Sequence, residues 1–275
     1  MESLNLLVTL NQGYLEQLIV LLRSILDSNP NVHFDVYILH KSLSEKDLDG
    51  LKTTVGNPRL SFFPIEMDDE LLLEAPTSKR YPKEMYYRLF ASLYLPKALE
   101  RILYLDPDIV VINPLNDLYH MPMEKHYFVA CSHILIQGLQ RFNELRLNME
   151  KNTPYINSGV LPMNLQMLRK HLCPEEVYEY IRKHKQVLVL PDQDVLSALY
   201  GKKTLLVDSL LYNLTEKYVR AYNFRLLPGE FKINLDWIRK NAVIIHYCGK
   251  NKPWKGNYLG TMNVFYDEIA QRIAK

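Results

Sequence analysis

Arg101-Ile102-Leu103-Tyr104-Leu105-Asp106-Pro107-Asp108-Ile109-Val110-Val111-Ile112-Asn113-Pro114 runs from an apolar segment into two carboxylates and out into a second apolar segment. The first run is short, rich in residues that favour extended chain and bounded by charge, so it reads as a buried strand. Asp106 and Asp108 then fall at its carboxyl end, where open α/β sheets bind their ligands. Pro107 fixes the backbone between them and donates no hydrogen bond. Carboxylates this close repel unless a cation lies between them. Oxygen ligands suit a hard divalent ion such as Mn²⁺ or Mg²⁺. The plainer reading is a solvated strand-to-turn junction; the apolar approach is what favours a metal site.

Toward the N-terminus, residues 4–10 read as a buried strand and Asn11-Gln12-Gly13 as a turn. Leu15, Leu18, Ile19, Leu22, Ile25 and Leu26 recur at helical spacing until Ser28-Asn29-Pro30. Residues 34–39 and 60–65 read as further strands. Between them lies a polar helix over 44–53, with Ser44 and Asp47 at capping-box spacing. This βαβαβ order predicts an α/β fold with a mainly parallel central sheet covered by helices. No Gly-x-Gly-x-x-Gly follows the first strand and no Gly-Lys-Ser/Thr loop occurs, so a bound nucleotide needs another device. Residues 68–81 read as a mobile surface loop. A helix over 83–95 carries an apolar arc of Met85, Tyr86, Leu89, Phe90 and Leu93, with Arg88 at its edge. There Arg88 either snorkels to solvent or points at the strand that ends in Asp106.

Downstream, residues 127–131 read as a strand, 132–153 as a polar excursion and 155–161 as a loop entering a strand. Residues 166–185 are helical in two parts, broken at Pro174, and Pro191-Asp192-Gln193-Asp194 opens a helix. A strand over 205–207, an irregular aromatic region over 210–240, a strand over 242–247 and a terminal helix complete the chain. His246 ends its strand. A lone histidine is more often a satisfied core residue, but imidazole beside two carboxylates makes a suitable Mn²⁺ shell. Gly249 would let a backbone N–H approach a ligand closely. Lys250 and Lys252 either neutralise a diphosphate or are simply solvated. Asp192 and Gln193 could hold sugar hydroxyls, whereas Asp194 reads as a helix-start residue serving cap and macrodipole. Asn157 is a turn residue or a hydroxyl ligand, and the following Ser158-Gly159 is a place where backbone and ligand could meet.

The 275 residues are 48% hydrophobic and 23% charged, enough for a sizeable core. A net charge of +2 argues against nucleic acid as a partner. The 19 tyrosines suit sugar or nucleotide stacking, as they suit any interface. Cys131, Cys173 and Cys248 are odd in number and in no metal spacing, which fits a reducing compartment. Met1-Glu2-Ser3-Leu4-Asn5 has no basic leader, and no run approaches the roughly 18 apolar residues of a membrane span. The expected location is cytoplasmic, extending to a peripheral place at the inner face of the membrane.

Five motifs then stand in one order: Tyr86-Tyr87-Arg88; Arg101 to Asp108; Tyr155-Ile156-Asn157-Ser158-Gly159-Val160; Asp192-Gln193-Asp194; and His246-Tyr247-Cys248-Gly249-Lys250-Asn251-Lys252-Pro253-Trp254. Together they resemble glycosyltransferase family 8, which includes bacterial lipooligosaccharide galactosyltransferases and glycogenin. The resemblance covers nearly the whole chain. It implies a single GT-A domain over 1–275, a Rossmann-like nucleotide-sugar-binding unit. Its parts would be a nucleotide-binding core over about 3–131, an acceptor and sugar part over about 132–210 and a closing segment over about 211–275. It further implies that Asp106, Asp108 and His246 hold Mn²⁺, and that Asn11 and Tyr14 lie near the uridine of the donor. Arg88 would contact donor sugar and diphosphate, and Gly249 and Lys252 would form the diphosphate loop. Asp192 would bind a sugar hydroxyl, Gln193 would lie beneath the anomeric carbon, and Asn157 would sit beside donor sugar and acceptor. The first strand ends in Thr9-Leu10-Asn11, where relatives often carry an aspartate.

The implied reaction is Mn²⁺-dependent, retaining transfer of a hexose from UDP-glucose or UDP-galactose to a hydroxyl of a glycan or glycolipid. Two other classes compete. Asp106 could be the nucleophile of a haloacid-dehalogenase-type phosphohydrolase, whose strand also ends Asp-x-Asp-x-Val, but no Gly-Asp-x-x-x-Asp pair follows. A non-catalytic glycan-binding scaffold would have a decayed metal shell, and all three candidate ligands stand.

Overall fold

A seven-stranded sheet brings the Asp106 stretch to the middle of the molecule. The computed structural model describes residues 2–68, 70–72, 75–77, 82–227 and 231–273. The strands are β1 (Glu2–Thr9), β2 (Val32–His40), β3 (Leu60–Glu66), β4 (Arg101–Leu105), β5 (Ile109–Val111), β6 (Phe128–Cys131), β7 (Val160–Asn164), β8 (Thr204–Val207) and β9 (Ile244–His246). The sheet order is β3-β2-β1-β4-β7-β6-β8. Within it β7 alone runs antiparallel to its neighbours β4 and β6. The expected mainly parallel sheet is therefore present.

β1 and β4 are buried on both faces, which is why they read as continuous apolar runs rather than alternating ones. Ile102 and Tyr104 enter one core with Leu7, Tyr37 and Phe90. Leu103 and Leu105 enter the opposite core with Leu6, Val8 and Leu22. The crossover helices Leu15–Ser28 and Glu45–Val55 lie where periodicity puts them. The Ser44–Asp47 capping box forms in both directions.

β5 and β9 leave the main sheet and form an antiparallel ribbon, with Ile109 opposite His246. Leu214 adds a parallel bridge to Ile245. Val110, Leu214, Ile245 and Phe265 belong to a third core.

Among the described residues of 210–240, expected to be irregular, much is helical. Helices Ser209–Tyr212, Glu216–Phe224 and Leu235–Asn241 start at side-chain caps from Asp208, Thr215 and Asn234. The excursion over 132–153 holds a helix, Gln137–Arg146. The expected helix over 83–95 begins as a 3₁₀ turn, Lys83–Tyr86, before α-helix Tyr87–Tyr94. Of the expected mobile loop over 68–81, residues 69, 73–74 and 78–81 lie outside the described residues. Among the described residues, no helix is long and apolar enough to cross a membrane.

Candidate active site

The last rungs of two ladders position the acidic pair. The Asp106 N–H donates to Gly159 O at 2.8 Å, continuing the β4–β7 pairing. The Tyr247 N–H donates to Asp108 O at 3.0 Å, continuing the β5–β9 ribbon. One ligand atom each from Asp106, Asp108 and His246 therefore lies within 4.8 Å of the others. His246 Nε2 is 3.1 Å from Asp108 Oδ1 and 3.6 Å from Asp106 Oδ2. Two hard carboxylates and one imidazole nitrogen facing a shared volume fit a divalent cation such as Mn²⁺ or Mg²⁺.

Gly159 makes that convergence possible. A Cβ at this position would stand 2.7 Å from Asp106 Oδ2 and collide with His246 Cε1. The small residue thus admits the histidine ring and the carboxylate.

Two buried cations complete the cluster. Arg88 is 6% exposed. It does not snorkel: Nη2 lies 2.9 Å from Asp106 Oδ1, Nη1 donates to Ser158 O at 2.7 Å and Nε donates to Met85 O at 2.9 Å. Its guanidinium also lies 4.3 Å over the Tyr104 ring, and the Tyr104 hydroxyl donates to Asp106 Oδ1 at 2.5 Å. Burial opposes the charge on Arg88, but Asp106, Tyr104 and Asp192 together hold its proton more firmly than usual. Lys252 pairs its ammonium with Asp108 Oδ2 and donates to Tyr247 O at 2.9 Å. Burial alone would raise the Asp108 carboxyl. Lys252 and His246 overcome it and hold the group well below the usual carboxylate range. The Lys252 ammonium is likewise pushed up, its own burial outweighed by Asp108.

Helix Pro191–Tyr200 supplies the other flank. Ser158 Oγ donates to Asp192 Oδ2 at 2.8 Å, and Arg88 Nε is 3.4 Å from the same oxygen. Burial pushes the Asp192 carboxyl up against the pull of Arg88. Gln193 Oε1 accepts from Asn157 Nδ2 at 3.0 Å. Asp194 does more than serve the helix start. It is fully buried, takes the N–H groups of Val189 and Leu190, and forms a two-pronged ion pair with Arg146 at 2.7 and 2.8 Å.

Asn11, Tyr14 and Gly249 lie on the connections that follow β1 and β9. Asn11 Oδ1 accepts the Gly13 N–H and caps the 3₁₀ turn Gln12–Tyr14. Tyr14 lies near enough to Lys252 to strengthen the hold on its proton. Gly249 has φ of 111°, a region side-chain-bearing residues avoid. Lys250 is exposed. The network also contains Tyr104 and Asn213, which the sequence does not mark as site residues. Asn213 Oδ1 lies 2.9 Å from His246 Nδ1. Nothing in its local sequence marks it, because its place depends on the Leu214 bridge to β9. A hollow of about 610 Å³ is lined by Leu135, Tyr218, Tyr222, Arg225, Leu226 and Phe231. His133 links its Tyr218 wall to the His246 partner Asn213, 5.5 Å from the Tyr218 ring and 2.7 Å from Asn213 O.

The profile of glycosyl transferase family 8 matches residues 5–257, a span that holds all five motifs. A lipopolysaccharide 1,2-glucosyltransferase of Escherichia coli is 27% identical over 256 residues, covering 92% of this chain and 74% of that protein. General stress protein A of Bacillus subtilis (strain 168) is 26% identical over 208 residues, 74% of this chain and 69% of that one. The crystal structure of galactosyltransferase LgtC with donor and acceptor sugar analogs matches with a TM-score of 0.82 at 22% identity, over 99% of this chain and 97% of that chain. Glycosyltransferase GlyE of Streptococcus pneumoniae TIGR4 matches with a TM-score of 0.73 at 16% identity, over 98% of this chain and 60% of that chain. At such identities the structural likeness carries the fold, which is GT-A. The sequence profile, spanning the strand-end carboxylates, the Asp192 helix and the His246 ribbon, carries the rest: the chain belongs to glycosyl transferase family 8 and is a glycosyltransferase.

Proposed function

We propose that this enzyme transfers a hexose, glucose or galactose, from a UDP-sugar to a hydroxyl of a glycan or glycolipid, with retention of configuration and with Mn²⁺ or Mg²⁺. The observation that carries this reading is the convergence of Asp106, Asp108 and His246 within 4.8 Å, flanked by the cations Arg88 and Lys252. A divalent ion on those three ligands supplies Lewis-acid stabilisation of the departing diphosphate.

The protein's own groups do the remainder. Lys252, on the loop after β9, adds positive charge for the leaving diphosphate, and Gly249 allows that loop its backbone path. Arg88 bridges Asp106 and Asp192, so it orients the acid that would bind a donor hydroxyl. Asn11 and Tyr14 would border the uridine. Gln193 carries a neutral amide and is a poor nucleophile, which favours same-face attack through an oxocarbenium-like state over a covalent intermediate. Its oxygen then offers electrostatic support, with Asn157 holding it in place. The departing phosphate accepts the acceptor's proton. The aromatic hollow beside His133 suits the acceptor sugar, since tyrosine faces pack well against sugar rings. The reaction belongs in the cytoplasm, up to the inner face of the membrane, in keeping with three unpaired cysteines.

A phosphohydrolase reading is disfavoured by the surroundings of Asp106. Its Oδ1 is engaged by Tyr104 and Arg88, which dulls it as a nucleophile. The test is a screen of UDP-sugars for release of free sugar in the presence of Mn²⁺, which needs no known acceptor. One UDP-hexose is expected to be hydrolysed, and folded Asp108→Asn, which lacks the ligand charge, is expected not to act. No hydrolysis of any UDP-sugar, or full activity in that variant, would contradict the proposal.

A further inference from the structure

We infer that Asn213 is a positioning residue that fixes which nitrogen of His246 faces the metal and couples that histidine to Gln193. This rests on the reading of His246 as a metal ligand.

The hydrogen-bond series begins at a group that can only donate. The Gly159 backbone N–H lies 3.0 Å from Asn157 Oδ1, so the oxygen of the Asn157 amide points that way. Its nitrogen then points to Gln193 Oε1, at 3.0 Å. Asn213 approaches the same Asn157 oxygen at 2.8 Å and must present its nitrogen. The oxygen of Asn213 is left facing His246 Nδ1 at 2.9 Å. An amide oxygen only accepts, so Nδ1 carries a proton, and in the neutral ring the Nε2 lone pair faces Asp106 and Asp108. Each amide orientation follows from the one before it, and a backbone N–H anchors the series.

At the far end Gln193 lies near the Tyr155 hydroxyl, which itself donates to Asp194 Oδ1 at 2.6 Å. Asn213 itself is fully buried. Its carbonyl accepts from the His133 ring at 2.7 Å. The next residue, Leu214, donates to Ile244 O at 2.9 Å and accepts the His246 N–H at 2.8 Å. Asn213 therefore travels with β9. A metal-ligating histidine commonly uses its second nitrogen in this way, and losing such a partner costs about 10–100-fold in metal affinity. What is particular here is that one side chain serves both the metal ligand and, through Asn157, the residue assigned to lie beneath the anomeric carbon.

Mn²⁺ affinity, read from the paramagnetic resonance of free Mn²⁺, and the kinetics of UDP-sugar hydrolysis test this in wild type, Asn213→Ala and Asn213→Asp. Asn213→Ala is expected to lose about 10–100-fold in Mn²⁺ affinity. Asn213→Asp keeps an oxygen toward His246 Nδ1 but sets a second oxygen against Asn157. It is expected to bind Mn²⁺ at least as tightly as wild type while kcat falls and KM changes little. A purely structural role would move both properties together in both variants. A folded Asn213→Ala with wild-type Mn²⁺ affinity, or an Asn213→Asp that loses Mn²⁺ binding, overturns the inference while leaving the metal reading intact. Wild type that binds no Mn²⁺ overturns both. Should Asn213→Ala fail to fold, the isosteric Asn213→Asp decides alone.

Discussion

His246 Nε2 stands 3.1 Å from Asp108 Oδ1 because two three-residue strands pair antiparallel. β5 begins directly after Asp108, and β9 ends on His246. The ribbon's register, with His246 opposite Ile109, is thus also the register of the metal ligands. A one-residue slip would turn the ring to the other face.

Gly159→Ala tests how tightly that register is packed. The added methyl would meet Asp106 Oδ2 at 2.7 Å and press on the His246 ring. Both contacts are with ligand side chains, so the fold should survive while the ligand geometry does not. Mn²⁺ affinity is expected to fall by at least about tenfold, the low end of the range for displaced metal-site partners. Wild-type affinity in this variant would show that the glycine is not needed for convergence.

Stability of the metal-free protein should depend on pH through Asp108 and Lys252. The Asp108 carboxyl is held below its unfolded value, so its contribution is present above about pH 4 and lost as pH falls. The Lys252 pKa is raised in the folded state. Its contribution is therefore full below its unfolded value of about 10.4 and is lost as pH rises through the folded value. The stability difference between wild type and Asp108→Asn, measured by urea unfolding with chelator present, should be largest near neutrality and shrink toward pH 3. A difference that does not change with pH would contradict the pairing.

Asp194 is the structural acid of the helix that carries Asp192 and Gln193. Arg146 meets it with two hydrogen bonds, and the Tyr155 hydroxyl donates to it at 2.6 Å. Removing one member of a buried pair strands the other charge, at a typical cost of about 3–5 kcal/mol. Arg146→Ala is expected to be destabilised by that order in chemical unfolding, and the double variant Arg146→Ala/Asp194→Ala by less than the two single losses added together. Additive losses would show that the pair does not act as a unit.

Much of this arrangement was legible in sequence. The βαβαβ half was, because β1 and β4 are buried on both faces and the Leu15–Ser28 helix keeps a clean period. The acidic pair and His246 were, because Asp106 and His246 end apolar runs and Asp108 opens one. Arg88 was ambiguous: an arginine at the edge of an apolar arc meets solvent or acid depending on which strand lies beside it, and here that strand ends in Asp106. The helices Ser209–Tyr212, Glu216–Phe224 and Leu235–Asn241 were not legible. The segments are only four, nine and seven residues long, and their caps Asp208, Thr215 and Asn234 are also ordinary loop residues. Asn213 was hidden for the same reason, since its place is set by a single bridge between Leu214 and Ile245.

Gln193→Ala separates support from covalent catalysis. Loss of one electrostatic stabiliser typically costs about 10²–10³ in rate, and loss of an obligate nucleophile far more. The variant is expected to be slow but active, with the product anomer unchanged by NMR. Complete inactivity, together with a glycosyl adduct on wild-type Gln193 by mass spectrometry, would show a covalent route instead.

Asp106, Asp108 and His246 are expected to bind a nucleoside diphosphate through a divalent ion. Calorimetric titration of UDP into the protein, with Mn²⁺ and again with excess chelator, tests it most directly. Clear binding with Mn²⁺ and much weaker binding with chelator is the expected result; equal affinity under both conditions would contradict the claim.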